Sequence, residues 1–456
     1  MEKKEKFGSR LGFILISAGC AIGLGNVWRF PFITGKNGGA AFILIYLIFL
    51  IIFGVPVMAM EFTVGRASGK SIASGFTDLE PKGTKWHLTK YLGIVGNYML
   101  MMFYTTIAGW MILYLCKYII GSFDGKSSEE IGNIFGAVSS SASTNITMLI
   151  IVMLLGFGIC ALGLQNGVEK ITKVMMILLF VAMFVLVVRV LMLDNVSEGL
   201  SYYLVPDFGR LMDQGVMNVI FDAMGQAFFT LSIGIGSMQI FGSAIGKDKS
   251  LFGEAAIITG LDTLVAFMAG LIVIPSCFSF GIEPGAGPSL VFITLPNVFN
   301  SMPGGRIWGI FFFLFMTFAA MSTVLAVFEN IISMNMEIFG TSRKKACAIN
   351  IPLLFVLALP CALGFGVLSG FAPFGEGTCV LDLEDFIVSN NLLPIGALIY
   401  VLFVTTKKGW GWDNFFKEVN EGEGVKFPTW AKGYVKYVLP LLIVFVLVMG
   451  YISFFS

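Results

Sequence analysis

The stretch "AGCAIGLGNVWRFP", Ala18 to Pro31, decides how this chain is read. It lies inside the first long apolar segment, yet it carries three glycines within seven residues, then an asparagine and an arginine. Glycine weakens a helix interior, and a lipid-spanning helix gains nothing from glycines followed by a charge. A segment that breaks inside hydrocarbon exposes backbone groups that lipid cannot satisfy. The interruption therefore needs a ligand to justify it.

The composition makes the surroundings a membrane. Of 456 residues, 57% are hydrophobic and 12% charged, and the mean hydropathy is +0.87. A soluble domain carries about a quarter charged residues. Runs of about 20 apolar residues, long enough to span, recur near 11–36, 41–66, 90–120, 146–164, 167–193, 216–243, 251–280, 306–338, 346–370, 379–405 and 433–454. This predicts an all-α polytopic membrane protein of eleven transmembrane helices in one domain, 1–456. The Pro-punctuated "GPSLVFITLPNVFN" (Gly287–Asn300) is too short to span and reads as a re-entrant or surface hairpin.

A net charge of +1 gives no hint of nucleic acid as a partner. Seven scattered cysteines without a CxxC argue against a disulfide framework or a metal site. The single histidine, His87, offers no basis for histidine chemistry. The charged start runs directly into a full-length span, so no cleavable signal peptide is expected. With the N-terminus inside, 22 of the 29 Lys and Arg residues fall on cytoplasmic segments, which sets the predicted orientation. The "NIT" at Asn145 matches a glycosylation sequon, a short and weak pattern.

The second informative segment is "TLSIGIG", Thr230 to Gly236, five spans after the first break. Gly-interrupted helices at corresponding places of two halves point to an inverted-repeat transporter. The halves are helices 1–5, about 11–193, and helices 6–10, about 216–405, with discontinuous helices 1 and 6. Freed carbonyls and hydroxyls at such breaks suit a hard cation such as Na⁺. Freed N–H groups suit a carboxylate. One break can hold both, which is a physical basis for coupled binding.

"RLGFILISAGCAIGLGNVWRFPFITGKNGGAAF" (Arg10–Phe42), "GQAFFTLSIGIG" (Gly225–Gly236) and "LDLEDF" (Leu381–Phe386) resemble the neurotransmitter:sodium symporter family, in particular its short bacterial amino-acid members. The resemblance runs over essentially the whole chain. It implies a first sodium site from Ala21, Asn26, Thr230 and Asp262, and a second from Gly19, Ile22, Ala319, Ser322 and Thr323. It implies a carboxylate held by the Leu24 and Gly25 N–H groups and the Tyr104 hydroxyl, and an ammonium held by the Cys20, Phe229 and Thr230 carbonyls. The implied side-chain pocket is Leu100, Tyr104, Phe229, Ser232, Ile235, Thr323 and Val327, an apolar lining that favours a hydrophobic amino acid. Position 23 is glycine where monoamine-carrying relatives have aspartate, which favours zwitterionic amino acids.

Asp262 stands where the family commonly has asparagine, close to the chloride-site counterparts Tyr46, Gln226 and Thr230. A fixed carboxylate there makes a bound anion redundant and repulsive, so the expectation is two Na⁺ ions, no chloride and proton counter-transport through Asp262. The implied gates are Arg29 with Asp385 outside and Lys4 with Glu337 inside. Phe7 replaces a usual tryptophan, Ala244 a frequent tyrosine, and "GVEKITKVMMILLF" lacks the proline that lets the fifth helix unwind in many relatives.

The expected partners are a small-molecule amino acid and the lipid bilayer of a prokaryotic inner membrane; oligomeric state is left open. Rival readings are a non-transporting amino-acid-sensing receptor of the same fold and a channel. An enzyme is disfavoured because no HExxH, GxSxG or clustered His/Asp set is present.

Overall fold

The computed structural model describes residues 6–282 and 289–455. Among these the chain is helical, with an isolated bridge between Lys249 and Glu423 and no strand. The main helices are α1 (Arg10–Ala21), α2 (Gly25–Lys36), α3 (Ala40–Ser68), α4 (Trp86–Ile119), α5 (Ala142–Ala161), α6 (Leu164–Leu191), α7 (Val216–Thr230), α8 (Ser237–Gly242), α9 (Leu251–Ser279), α10 (Leu290–Asn300), α11 (Gly305–Phe339), α12 (Arg343–Leu363), α13 (Val380–Thr405) and α14 (Ala431–Ile452).

Nine of these are long and apolar enough to cross a membrane, or ten if α1 and α2, bent by 57°, count as one span. The remaining predicted segment, 216–243, is two short helices, α7 and α8, separated by residues 231–236. Burial ranks the spans: 72% of the most apolar window of α11 is buried against 28% for α14. Helix α11 is therefore central, packed on α1, α4 and α6, and α14 is peripheral.

Five π-helical turns share one cause. They end at Arg29, Gly54, Thr294, Leu392 and Val438, each two residues before a proline: Pro31, Pro56, Pro296, Pro394 and Pro440. Proline has no N–H, and its ring crowds the carbonyl one turn earlier. A wider turn takes up the displaced carbonyl without ending the helix.

One expectation is corrected here. Leu290–Asn300 is a short helix rather than a surface hairpin, and residues 287 and 288 lie outside the described residues. Leu290, Val291, Phe292, Leu295, Val298 and Phe299 are buried, because Phe292 enters an aromatic cluster with Trp110, Tyr114 and Phe135. Asn145 is 3% exposed and bonded to the Trp110 indole and the Ser139 carbonyl, so the acceptor amide of the sequon is buried.

Candidate functional site

Both helix breaks are built by residues that have left helical geometry. After α1, Ile22 turns extended (φ −67°, ψ 104°) and the chain restarts at Gly25. Asn26 receives the Gly23 N–H on Oδ1 at 3.0 Å, capping the new half from within. A Cβ on Gly23 would lie 2.3 Å from the Tyr104 hydroxyl, and one on Gly25 would lie 2.8 Å from the Phe229 ring. Only glycine permits that approach.

The α7–α8 break carries three left-handed residues, Ser232 (φ 50°), Gly234 (φ 110°) and Gly236 (φ 77°). Positive φ on serine is strained and clusters at functional sites. Fully buried Glu61 of α3 accepts the Gly234 N–H on one oxygen and the Met238 N–H, at 3.1 Å, on the other. Asn97 of α4 donates to the Ile235 carbonyl at 2.9 Å, and Asn330 of α11 donates to Asn97 at 2.7 Å. Glu61 and Asn97 are missing from the sequence-derived site. The signal was present, because a carboxylate inside "VMAMEFTVG" is costly in a membrane and marks a site by default. Glu61→Gln removes the charge from both contacts and turns an NH2 group toward one of the two N–H donors. It is expected to lower stability by about 2 kcal/mol, read as the thermal unfolding midpoint in detergent.

One polar cluster joins three helices. Asn26 Nδ2 lies 2.8 Å from Asp262 Oδ1 and 3.0 Å from Thr230 Oγ1, and the Thr230 hydroxyl donates to Asp262 Oδ2 at 2.9 Å. All three residues are fully buried. Ala21 lines the adjoining cavity, Gln226 donates to the Gly25 carbonyl at 2.9 Å, and Tyr46 is fully buried.

A second cluster joins α1 to α11. The Thr323 hydroxyl lies 3.1 Å from the carbonyl oxygens of Gly19 and Ile22 and 3.3 Å from that of Ala319. The Ser322 hydroxyl lies 3.0 Å from the same Ala319 oxygen. A hydroxyl has one proton, so at most one of the three carbonyls can receive it from Thr323. The set of neutral oxygens suits a hard monovalent cation. No group of three His, Cys, Asp or Glu placed to hold a metal ion exists among the described residues.

Between the clusters is a cavity of about 20 Å³, lined by Ala21, Gly23, Leu24, Gly25, Leu100, Tyr104, Phe229, Ser232, Thr323 and Leu393. That is about one water molecule's space. Leu24 donates its N–H to the Tyr104 hydroxyl at 3.2 Å across it. Leu393 was not foreseen. Ile235 and Val327 are fully buried but do not line the cavity; Ile235 packs on Gly96 of α4 instead. Tyr104→Phe keeps the packing and removes the hydroxyl. It is expected to weaken substrate binding about tenfold, measured by radioligand binding to purified protein.

At one end, the Arg29 guanidinium lies 4.7 Å from the Phe229 ring centroid. Arg29 and Asp385 form no ion pair within 4.0 Å among the described residues, and Asp385 receives the Ser389 hydroxyl at 2.7 Å. At the other end, Glu337 accepts the Ser71 N–H at 2.9 Å and the Ser71 hydroxyl at 2.6 Å. Lys4 lies outside the described residues. The two unusual positions meet, since Phe7 donates its N–H to the Ala244 carbonyl at 3.3 Å. Glu169, at the start of α6, holds the entry to α1 by accepting the Gly8 N–H at 2.8 Å and the Ser9 hydroxyl at 3.0 Å.

A family model described as the sodium:neurotransmitter symporter family matches residues 4–127 and 128–456. The chain belongs to that family. A sodium-dependent transporter of Bacillus subtilis, YhdH, is 34% identical over 99% of both chains. The sodium-dependent serotonin transporter of Drosophila melanogaster is 27% identical, covering 98% of this chain and 77% of its own length. The crystal structure of MhsT in complex with L-phenylalanine superposes with a TM-score of 0.87 at 35% identity, covering 98% of this chain and 100% of that one. The chain is thus a multi-span, sodium-dependent membrane transporter rather than an enzyme.

Proposed function

We propose that this symporter imports a hydrophobic, zwitterionic amino acid together with two Na⁺ ions by alternating access, without chloride and with proton return through Asp262. Sodium is cargo here, and the observation that carries the reading is the Thr323 hydroxyl facing three carbonyls from two helices. A cation between them replaces a set of competing acceptors by one shared partner, and it ties α1 to α11 only while it is bound.

The first ion takes Ala21, Asn26, Thr230 and Asp262, and the second takes Gly19, Ile22, Ala319, Ser322 and Thr323. For Asn26 to offer its oxygen to the first ion, its amide must turn over, because Nδ2 now faces Asp262. The substrate carboxylate displaces Tyr104 from the Leu24 N–H, and the ammonium meets the Cys20, Phe229 and Thr230 carbonyls. The side chain dilates the cavity between Leu100, Phe229, Ser232 and Leu393. MhsT holds L-phenylalanine, which supports an aromatic or aliphatic cargo. When sodium leaves, a bare buried carboxylate is costly, and Asp262 takes a proton.

The chain adopts eleven spans with α1–α2 and α7–α8 as discontinuous helices 1 and 6 of an inverted repeat, its N-terminus cytoplasmic in a prokaryotic inner membrane. Arg29 leaves the Phe229 face to pair with Asp385 when the outer path closes, and Glu337 with Lys4 forms the inner latch. Uptake of labelled phenylalanine and leucine into proteoliposomes, with and without an inward sodium gradient, tests the function. Accumulation only with the gradient is expected. Sodium-dependent binding without accumulation supports a sensing receptor instead.

A further inference from the structure

A cavity of about 350 Å³ lies away from the two helix breaks, where α1 and α9 begin and the loop before α14 folds back. Its lining includes Arg10, Lys249, Glu254, Ile257, Glu423 and Val425. The size falls in the range of small-ligand sites, and the transport cycle described above does not use it.

The decisive group is Glu254. Its side chain is 2% exposed, and Oε1 alone takes both Nε and Nη2 of Arg10, at 2.9 and 2.8 Å. Among the described residues, Oε2 is buried with no hydrogen-bond partner. An ionised carboxylate with one oxygen left bare in a buried place lacks the donor that burial demands. Beside it the side chains of Arg10 and Lys249 are 49% and 36% exposed, and Lys249 touches the outermost carboxylate, Glu423, at 2.7 Å. The cavity therefore has cationic donors at its surface and an unpaired carboxylate oxygen sealed in its wall beside Arg10, which a ligand reaches only by drawing Arg10 aside.

Its opening is apolar. Ile257 on spanning helix α9 is 42% exposed and Val425 is 63% exposed. The loop wall is fixed, because Ser250 donates its N–H to the Glu423 carbonyl at 2.7 Å and its hydroxyl to the Val425 carbonyl at 2.7 Å. Exposed apolar side chains on a spanning helix face hydrocarbon, which a freely diffusing zwitterion gains nothing from and a lipid does.

We propose that this cavity binds the headgroup of an aminophospholipid, whose phosphate draws Arg10 and Lys249 outward while its primary ammonium takes the place of Arg10 on the Glu254 carboxylate, with the acyl chain along Ile257. A primary ammonium supplies N–H donors to the bare oxygen. A trimethylammonium head carries the same charge and supplies none.

Native mass spectrometry of the full-length protein, titrated with phosphatidylethanolamine, phosphatidylcholine and phosphatidylglycerol, tests this. Phosphatidylethanolamine is expected to bind about tenfold more tightly than phosphatidylcholine, the effect of one charge-assisted hydrogen bond. Glu254→Gln is expected to erase that preference, whereas Lys249→Ala weakens both lipids and preserves it. The Lys249 side chain is only partly buried, so this second variant keeps the test alive if Glu254→Gln fails to fold. Equal binding of the two zwitterionic lipids overturns the proposal, as does a preference that survives Glu254→Gln. Tighter binding of phosphatidylglycerol, or displacement of phosphatidylethanolamine by free leucine, also overturns it.

Discussion

Replacing Asp262 by asparagine is expected to make transport depend on chloride. Asp262 is fully buried and hydrogen-bonded to Asn26 and Thr230, two groups of the proposed first sodium site. Its charge acts on the cation it coordinates through a poorly screened medium, a contribution on the order of 4 kcal/mol. The near-isosteric amide removes that charge and leaves the oxygen. Sodium-driven uptake in chloride-free medium should then fall about a thousandfold in sodium affinity. Chloride at physiological concentration should restore much of it, because an anion beside Tyr46 and Gln226 replaces the lost charge. The wild type should transport equally in chloride and gluconate. Full activity of the Asp262→Asn variant without chloride would remove Asp262 from the electrostatics of coupling.

Thr323→Val is the second large effect. Valine matches threonine in shape, so packing between α1 and α11 is retained, but the hydroxyl near the Gly19, Ile22 and Ala319 carbonyls is gone. Those buried oxygens lose a donor, and the second proposed ion loses one of five ligands. The sodium concentration for half-maximal uptake is expected to rise about a hundredfold, measured in proteoliposomes at saturating amino acid. Binding measured with sodium held at molar concentration should be nearly normal, which separates ion affinity from misfolding. An unchanged sodium dependence would mean that the cluster only joins two helices.

Much of this was legible because membranes make errors conspicuous. Gly19, Gly23 and Gly25 inside an apolar span, and Asp262 within "ITGLDTLVAF", announce themselves by being costly where they stand. The residues that hold the breaks open were less visible. Glu61 lies 173 positions from the Gly234 N–H that it receives, and Asn97 lies 138 from the Ile235 carbonyl. Each reads locally as one polar residue on a helix, and only the packing of α3 and α4 against the break reveals its use. At Asn145 three letters matched a surface motif only weakly, and the Trp110 indole 35 residues earlier decided the burial of the asparagine.

The sequence alone determined that the chain spans a membrane, that two of its helices break, and which chemical groups the breaks release. Those follow from run length and residue type, since hydrocarbon accepts neither bare peptide groups nor idle charges. Tertiary structure decided who answers those groups: Glu61 at Gly234, Thr323 between Gly19 and Ile22, Leu393 in the cavity wall, and Arg29 on Phe229 rather than on Asp385. Hydrogen bonds and contacts of a few ångströms depend on how helices far apart in the chain come to lie side by side. Local periodicity carries no record of that distance.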